Sequence, residues 1–157
     1  MSHSRIFQIS KKKIDKENYI EEERYYDNFL GEIADSIEKS CDERGSDLEY
    51  LARALGDAAI VKNDKLTVVN KELYLRGFFE EFKKAAKAIA DATLEDFCTT
   101  KLSFDEYHLR SMYNDKFDIY MDDNGEEGYG NQTLMNFLRR VKNGDVFYIG
   151  GIMDYHY

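Results

Sequence analysis

The chain has 157 residues and a formal net charge of −9, from 22 basic and 31 acidic side chains. With 43% apolar residues, including ten Phe and twelve Tyr, it can bury a core, which excludes a disordered chain. The acidity speaks against direct binding to a nucleic-acid backbone or to an anionic membrane, because both favour clustered Lys and Arg. The length predicts a single domain over residues 1–157.

A strand and two helices are predicted in the first third of the chain. Residues 5–10 favour a strand. Over residues 22–39, apolar residues recur at spacings of three and four, which is typical of a helix with one buried face. Gly45 is then expected to end that helix. Ser46 with Glu49 has the spacing of a capping box, which predicts the start of a second helix.

A hairpin and a long helix are predicted next. The short apolar runs at 60–61 and 66–69 flank the pair Asn63-Asp64, which predicts a β-hairpin with a tight turn. The strongest helical pattern spans residues 71–92, and we expect its apolar stripe to lie in the core. The members of this stripe are Leu75, Phe78, Phe79, Phe82, Ala86, Ile89 and Ala90.

The last third is predicted to alternate between helix and strand. A capping-box pattern beginning at Ser103 predicts a helix to about residue 113, and residues 117–122 alternate like a half-exposed strand. Asn131 is expected to cap a further helix. The apolar face of that helix consists of Leu134, Phe137, Leu138 and Val141. Residues 146–157 predict a final strand with a bulge or bend at Gly150-Gly151.

These elements predict an α+β fold of about five strands and five helices, with terminal strands and a largely helical middle. Alternation of strands and helices is absent from the first half, which disfavours a doubly wound sheet. Cys41 and Cys98 follow no metal or redox spacing, so we expect both thiols to be reduced and buried. The chain lacks a signal-peptide pattern and any apolar run near the ~20 residues that span a bilayer, so we expect a cytoplasmic protein.

No metal-binding motif stands out in the sequence. Residues 118–125 are rich in oxygen ligands, but an EF-hand loop with Gly125 in sixth place has Tyr120 first and Asn131 twelfth, so both acidic anchors are missing. The three histidines do not form the spacings that bind zinc. We therefore expect no metal and no cofactor.

One catalytic arrangement is left open by the sequence. In a strand, Asp154 and His156 share one face, so the carboxylate can orient the imidazole as a general base. No nucleophile accompanies them. The glycines of residues 128–130 precede a helix, but they lack the P-loop and dinucleotide-binding patterns. The alternative function is therefore a small enzyme with a site built from the C-terminal strand and this Gly-rich loop.

The charge distribution favours a binding function. Residues 21–50 carry eleven acidic and three basic side chains, which is nearly the whole excess of negative charge. The predicted binding residues are Glu21, Glu22, Asp27, Glu32, Asp35, Glu38, Asp42 and Glu49. Carboxylates spaced along a helix can imitate a run of phosphates and occupy a basic groove. The sequence thus predicts a non-enzymatic binding protein, a nucleic-acid-mimicking inhibitor whose partner is a protein with a basic surface.

Two other interpretations remain open. An ordinary solvated helix face would produce the same acidity, and the many tyrosines suit a structural module that associates with itself. Small size, acidity and aromatic content resemble those of phage and plasmid inhibitors of restriction or CRISPR systems. This likeness rests on composition and not on a motif.

Overall fold

A computed structural model describes residues 3–114, 119–123 and 131–157 of the chain. Six strands lie in these ranges: β1 His3–Ser10, β2 Ser36–Lys39, β3 Ala59–Lys62, β4 Lys65–Val68, β5 Tyr120–Asp123 and β6 Val146–His156. The α-helices there are α1 Arg44–Leu55, α2 Lys71–Ala90, α3 Leu94–Cys98, α4 Lys101–Asn114 and α5 Asn131–Arg140. The predicted α+β class, with terminal strands and a helical middle, is confirmed.

The strands form one sheet in the order β3-β4-β6-β1-β5. β1 pairs with β5 in parallel and with β6 in antiparallel orientation. Because β6 has 11 residues, its other edge holds two strands in succession. β4 pairs with residues 146–148 and β2 pairs with residues 153–156. The predicted irregularity at Gly150-Gly151 is confirmed, since the β1–β6 register shifts between Phe7 and Ile9.

Both faces of the sheet are covered, because successive side chains of β1 and β6 point to opposite faces. The first buried cluster joins Phe7 and Ile152 of the sheet to apolar residues of α1, α5 and the hairpin. The second cluster lies on the other face, under the connection between β1 and β2. Its buried members are Ile6, Ile20, Tyr25, Phe29, Ile33, Ala34, Ile37, Tyr120, Met153 and Tyr155.

The hairpin and α5 follow the sequence prediction. Asn63 and Asp64 have φ values of 53° and 57°, and a two-residue type I′ turn requires positive φ at both positions. Asn and Asp tolerate this region better than other side chains, so the turn forms without glycine. All four apolar residues predicted for the face of α5 are buried.

The helix predicted over residues 22–39 is wrong. The segment forms a 3-10 turn at Glu22–Tyr25, an irregular stretch, and then β2. Asn28 and Gly31 have φ values of 73° and 87°, which a right-handed helix does not allow. The residues Tyr25, Phe29, Ile33 and Ile37, which are spaced by four, are nevertheless buried in the second cluster. The free edge of β6 offers backbone hydrogen bonds to residues 36–39, and this pairing replaces the helix.

The predicted helix boundaries also need correction. Gly45 lies within α1 and does not end a helix, because the segment before it is a strand. Ser46 and Ser103 lie inside helices, so neither forms a capping box. The capping box that does form uses Thr93, at the start of α3. The backbone N–H of Thr93 donates to Asp96, and this bond with the nearby Lys101 ammonium holds the pKa of Asp96 at about 2.

Two predictions of burial are wrong. Both Cys41 and Cys98 are exposed, because one lies in the β2–α1 connection and the other at the end of a five-residue helix without buried residues. In α2 the helix is confirmed, but Ala85 is its one buried residue and Phe79 is 57% exposed. Periodicity shows which side of α2 is apolar, whereas burial depends on its neighbours. In the described part of the chain, α4 and α5 cover only part of the stripe.

Candidate functional site: the acidic surface

The connection between β1 and β2 carries most of the predicted binding residues, and one side chain fixes it to the sheet. Gln8 Oε1 accepts hydrogen bonds from the backbone N–H groups of Ile20, at 3.1 Å, and Gly151, at 2.9 Å. Gln8 Nε2 donates to the carbonyl of Asn18 at 3.0 Å. A Cβ at Gly151 would lie 2.9 Å from Ile20 Cγ1, so only glycine lets the connection approach β6 this closely.

A buried carboxylate of β5 holds the next part of the connection. Asp122 is only 6% exposed. The Tyr25 hydroxyl donates to Asp122 Oδ2 at 2.8 Å, and Arg24 Nε lies 2.9 Å from the same oxygen. Since β2 then pairs with β6, the connection is tied to the sheet at its start, its middle and its end. The irregular backbone is therefore an ordered surface.

The eight predicted binding residues lie on this surface and on the chain that follows it. Seven are exposed and Glu22 is half-buried. They do not follow one helix, since most belong to the irregular connection, Glu38 to β2 and Glu49 to α1. The structure thus keeps the carboxylates exposed but removes the regular helical spacing on which the comparison with phosphates was based.

Three of the eight carboxylates have cationic or backbone partners. Glu21 pairs with Lys39 Nζ at 2.5 Å, and this contact raises the pKa of Lys39. Glu22 accepts the backbone N–H of Lys39 at 3.3 Å, and Asp42 pairs with Arg5. The other five make no ion pair within residues 3–114, 119–123 and 131–157. They are Asp27, Glu32, Asp35, Glu38 and Glu49.

A buried ion cluster lies beneath the end of this surface, and sequence reasoning missed it. Arg5 Nε donates to Asp47 Oδ1 at 2.5 Å, and the two side chains are 8% and 2% exposed. Arg5 also pairs with Asp42, faces Asp154 across the β1–β6 ladder, and stacks 4.7 Å from the Tyr50 ring centroid. Burial alone would lower the pKa of Arg5, but the bonds to the two carboxylates outweigh it and raise that pKa.

The proposed catalytic pair occupies a different setting from the one expected. Asp154 is 5% exposed, lies opposite Arg5, and its charge contributes to the raised pKa of that guanidinium. The backbone carbonyl of His156 accepts the N–H of Asp35 at 2.7 Å, so the strand is ordered there. The Gly-rich loop at 128–130, the other part of the enzyme hypothesis, lies outside the described residues.

Concave regions in the described part of the chain include the following three. One, about 550 Å³, lies where β1 and β5 end, and its charged lining includes Lys11, Lys12, Asp123, Arg140 and Asp145. A smaller one, about 190 Å³, lies beside Asp42 and Asp47. The third, about 440 Å³, is lined by apolar side chains of α2, α4 and α5. None of them contains a nucleophile placed against a base in the described residues.

Metal and membrane sites were sought in the same ranges. Among residues 3–114, 119–123 and 131–157, no three His, Cys, Asp or Glu side chains are grouped in a way that holds a metal ion. The segment 118–125, considered as a calcium loop, is described only at residues 119–123. None of the described helices combines the length and the apolar character needed to cross a bilayer.

Comparison of the chain with protein-family models, curated proteins and solved structures gave no match. Its function is therefore argued from its own surface and charge.

Proposed function

We propose that the protein is a non-enzymatic binding protein whose acidic surface engages a basic surface on a protein partner. The observation that carries the proposal is a set of five exposed carboxylates without ion-pair partners in the described residues: Asp27, Glu32, Asp35, Glu38 and Glu49. They lie within 23 residues of chain, 27–49, that also hold Asp42, Glu43 and Asp47. Their mutual repulsion is unfavourable in the free protein, so a cationic partner relieves it on binding.

The anchoring of this surface supports a binding role. Gln8, Asp122 and the β2–β6 pairing hold the connection in one conformation. A surface that is ordered before binding loses less conformational entropy in the complex. Complementary charge also steers the encounter and raises the association rate. A nucleic-acid-binding groove is one such basic surface, and an anti-defence inhibitor is the specific form of this proposal. With the helical spacing gone, this form rests on the number and exposure of the carboxylates.

The negative charge of the acidic surface affects the pKa of a neighbouring tyrosine. The pKa of Tyr26 is raised by partial desolvation and by the negative charge of Glu22 and Glu23. The same negative charge repels phosphates, so we propose that the protein binds neither nucleic acid nor an anionic membrane directly and meets its partner in the cytoplasm.

The test reverses three carboxylates that make no ion pair in the described chain. Glu32→Lys, Asp35→Lys and Glu38→Lys, combined, should abolish binding to a partner captured by the wild-type protein. The association rate of the wild type should fall as salt concentration rises. The three side chains are exposed, so the melting temperature should stay close to that of the wild type.

A matched control uses the basic segment beside the first strand. Changing Lys11, Lys12 and Lys13 to Gln also replaces three charged side chains but leaves the acidic surface intact. Binding should then be unchanged or slightly stronger. If the triple-lysine variant at 32, 35 and 38 still binds its partner as tightly as the wild type, the proposed function is wrong. An activity lost on His156→Ala would favour the enzyme alternative instead.

A further inference from the structure

The helical layer formed by α2, α3 and α4 has almost no buried side chain. The structure describes every side chain from residue 71 to 112, and Ala85 is the one that is buried. Large apolar residues are exposed throughout this layer: Leu73, Phe79, Leu94, Phe97, Phe104 and Tyr107. Isolated exposed apolar residues are normal, but this layer exposes six of them within 35 residues of chain, and Phe79 also lines a groove of apolar side chains. The layer is therefore a candidate interaction surface.

A groove runs along this layer on the side of α2 where the apolar stripe lies. It is lined by Leu75, Phe78, Phe79, Phe82, Met112 and Met135, and its volume is about 440 Å³. Methionine and phenylalanine lining is typical of grooves that accept an apolar helix face. Tyr74 and Leu75 pack against the first buried cluster, so α2 lies on the opposite side of the sheet from the acidic surface.

The charge of the layer indicates what covers it. Residues 71–114 carry seven basic and eight acidic side chains, a net charge of −1, although the whole chain carries −9. Two copies of the chain can therefore meet through this layer without the repulsion that opposes contact elsewhere on their surfaces. A strongly basic or acidic partner would find no complementary charge there.

The flanks of Phe79 suit a two-fold contact in particular. Glu72 and Lys83 lie seven residues before and four residues after Phe79, so all three share one side of α2. Lys83 Nζ lies 4.7 Å from the Phe79 ring centroid. Within one chain Glu72 lies 3.9 Å from Arg76, and Lys83 pairs with Glu80 at 2.8 Å. When two α2 helices cross in antiparallel orientation with the axis near residue 78, Glu72 of each copy faces Lys83 of the other, and these exposed pairs exchange for contacts between the copies. An isologous interface requires such self-complementarity.

The size of the layer also fits a dimer. A 20-residue helix is about 30 Å long, and two helices packed 8–10 Å apart form a face of roughly 30 by 20 Å, or about 600 Å². Specific stable interfaces bury about 1,200–2,000 Å² in total, so about 600 Å² on each partner is at the lower limit of that range. We therefore propose that the α2–α4 layer is the interface of a symmetric dimer of this chain. Such a dimer presents two acidic surfaces, which increases avidity for a repetitive basic target.

The test is sedimentation velocity from low micromolar to several hundred micromolar protein. The wild type should dimerise, and Phe79→Asp should raise the dissociation constant of the dimer at least ~tenfold, as loss of an interface anchor does. Ile60→Asp is the matched control, because Ile60 on β3 is also 57% exposed but lies outside the layer. Its dimerisation should equal that of the wild type. Circular dichroism should show both variants folded, since both positions are exposed.

Salt distinguishes this interface from the acidic surface. Because the layer is apolar and carries a net charge of only −1, dimerisation should change little with salt, whereas binding through the carboxylates should weaken as salt rises. A wild type that stays monomeric over the whole concentration range would overturn the proposal, as would equal weakening by Phe79→Asp and Ile60→Asp. Dimerisation that weakens with salt, or a different protein held at this face by a monomeric chain, would overturn it as well.

Discussion

Removal of the Arg5 guanidinium should destabilise the protein more than loss of any exposed charge. In Arg5→Met the side chain keeps its apolar length, but Asp47, which is 2% exposed, loses the cation to which it is bonded. Asp154, which is 5% exposed, loses a nearby positive charge. Breaking a buried ion pair by removing one partner costs about 3–5 kcal/mol, because the remaining charge stays buried. We expect that loss in the free energy of unfolding, measured by urea denaturation with circular dichroism.

The pH dependence of the loss identifies its cause. Burial without a cation raises the pKa of a carboxylate, so the penalty in Arg5→Met is present at neutral pH and decreases as the carboxylates become protonated on acidification. In the wild type the raised pKa belongs to Arg5, whose stabilising charge is fully present below the ordinary pKa of an arginine. The difference in the free energy of unfolding between the two proteins should therefore become smaller as the pH falls below neutral.

A double variant separates charge from packing. Arg5→Met with Asp47→Leu replaces the ion pair by apolar groups and should recover about 2 kcal/mol or more of the loss, since such replacements are often neutral. A loss below about 1 kcal/mol in Arg5→Met, at the level of an exposed ion pair, would refute the reasoning. A loss that is independent of pH would refute it too, because it would come from packing around Tyr50 and not from stranded charge.

Three further comparisons test the packing. Gly151→Ala should cost about 1–3 kcal/mol in chemical denaturation because its Cβ has no space, whereas Gly45→Ala, with nothing within 4 Å, should stabilise α1 by about 0.5–1 kcal/mol. Phe137→Ala, at a site only 1% exposed, should cost about 3–5 kcal/mol, and the half-buried Phe82→Ala clearly less. Thr93→Ala removes the α3 capping box and should cost about 1 kcal/mol; equal stability would show that α3 is frayed.

Elements whose partners are close in sequence could be predicted from the sequence. The β3–β4 hairpin depends on a two-residue turn, and α5 presents four apolar residues to one core. The segment 22–39 could not be predicted, because a spacing of four fits a helix and also fits this irregular chain with Tyr25, Phe29 and Ile33 inward. What decides between them is the vacant edge of β6, more than a hundred residues later.

The buried ion cluster and the exposed helical layer show two other limits of the sequence. Arg5 binds carboxylates 37 and 42 residues away, and no local pattern encodes such contacts. The one available signal is that Arg5, Phe7 and Ile9 are spaced by two, so in a strand all three side chains point to the same, inward face. The amphipathic pattern of α2 was predicted correctly, but the burial of its apolar stripe depends on how much of the molecule packs against the helix. The exposure of seven of the eight acidic residues could be predicted, but not that Glu49 alone among them would lie on an α-helix.

The central position of β6 has a consequence for how the chain folds during synthesis. β6 follows every other described element in sequence, yet β1, β2 and β4 all pair with it. Until residues 146–156 leave the ribosome, these three strands lack the strand with which they pair. The apolar side chains that pack together with those of β6 in the folded protein are then uncovered. Unpaired strand edges associate readily between chains. The nascent protein is therefore exposed to pairing between chains until β6 emerges.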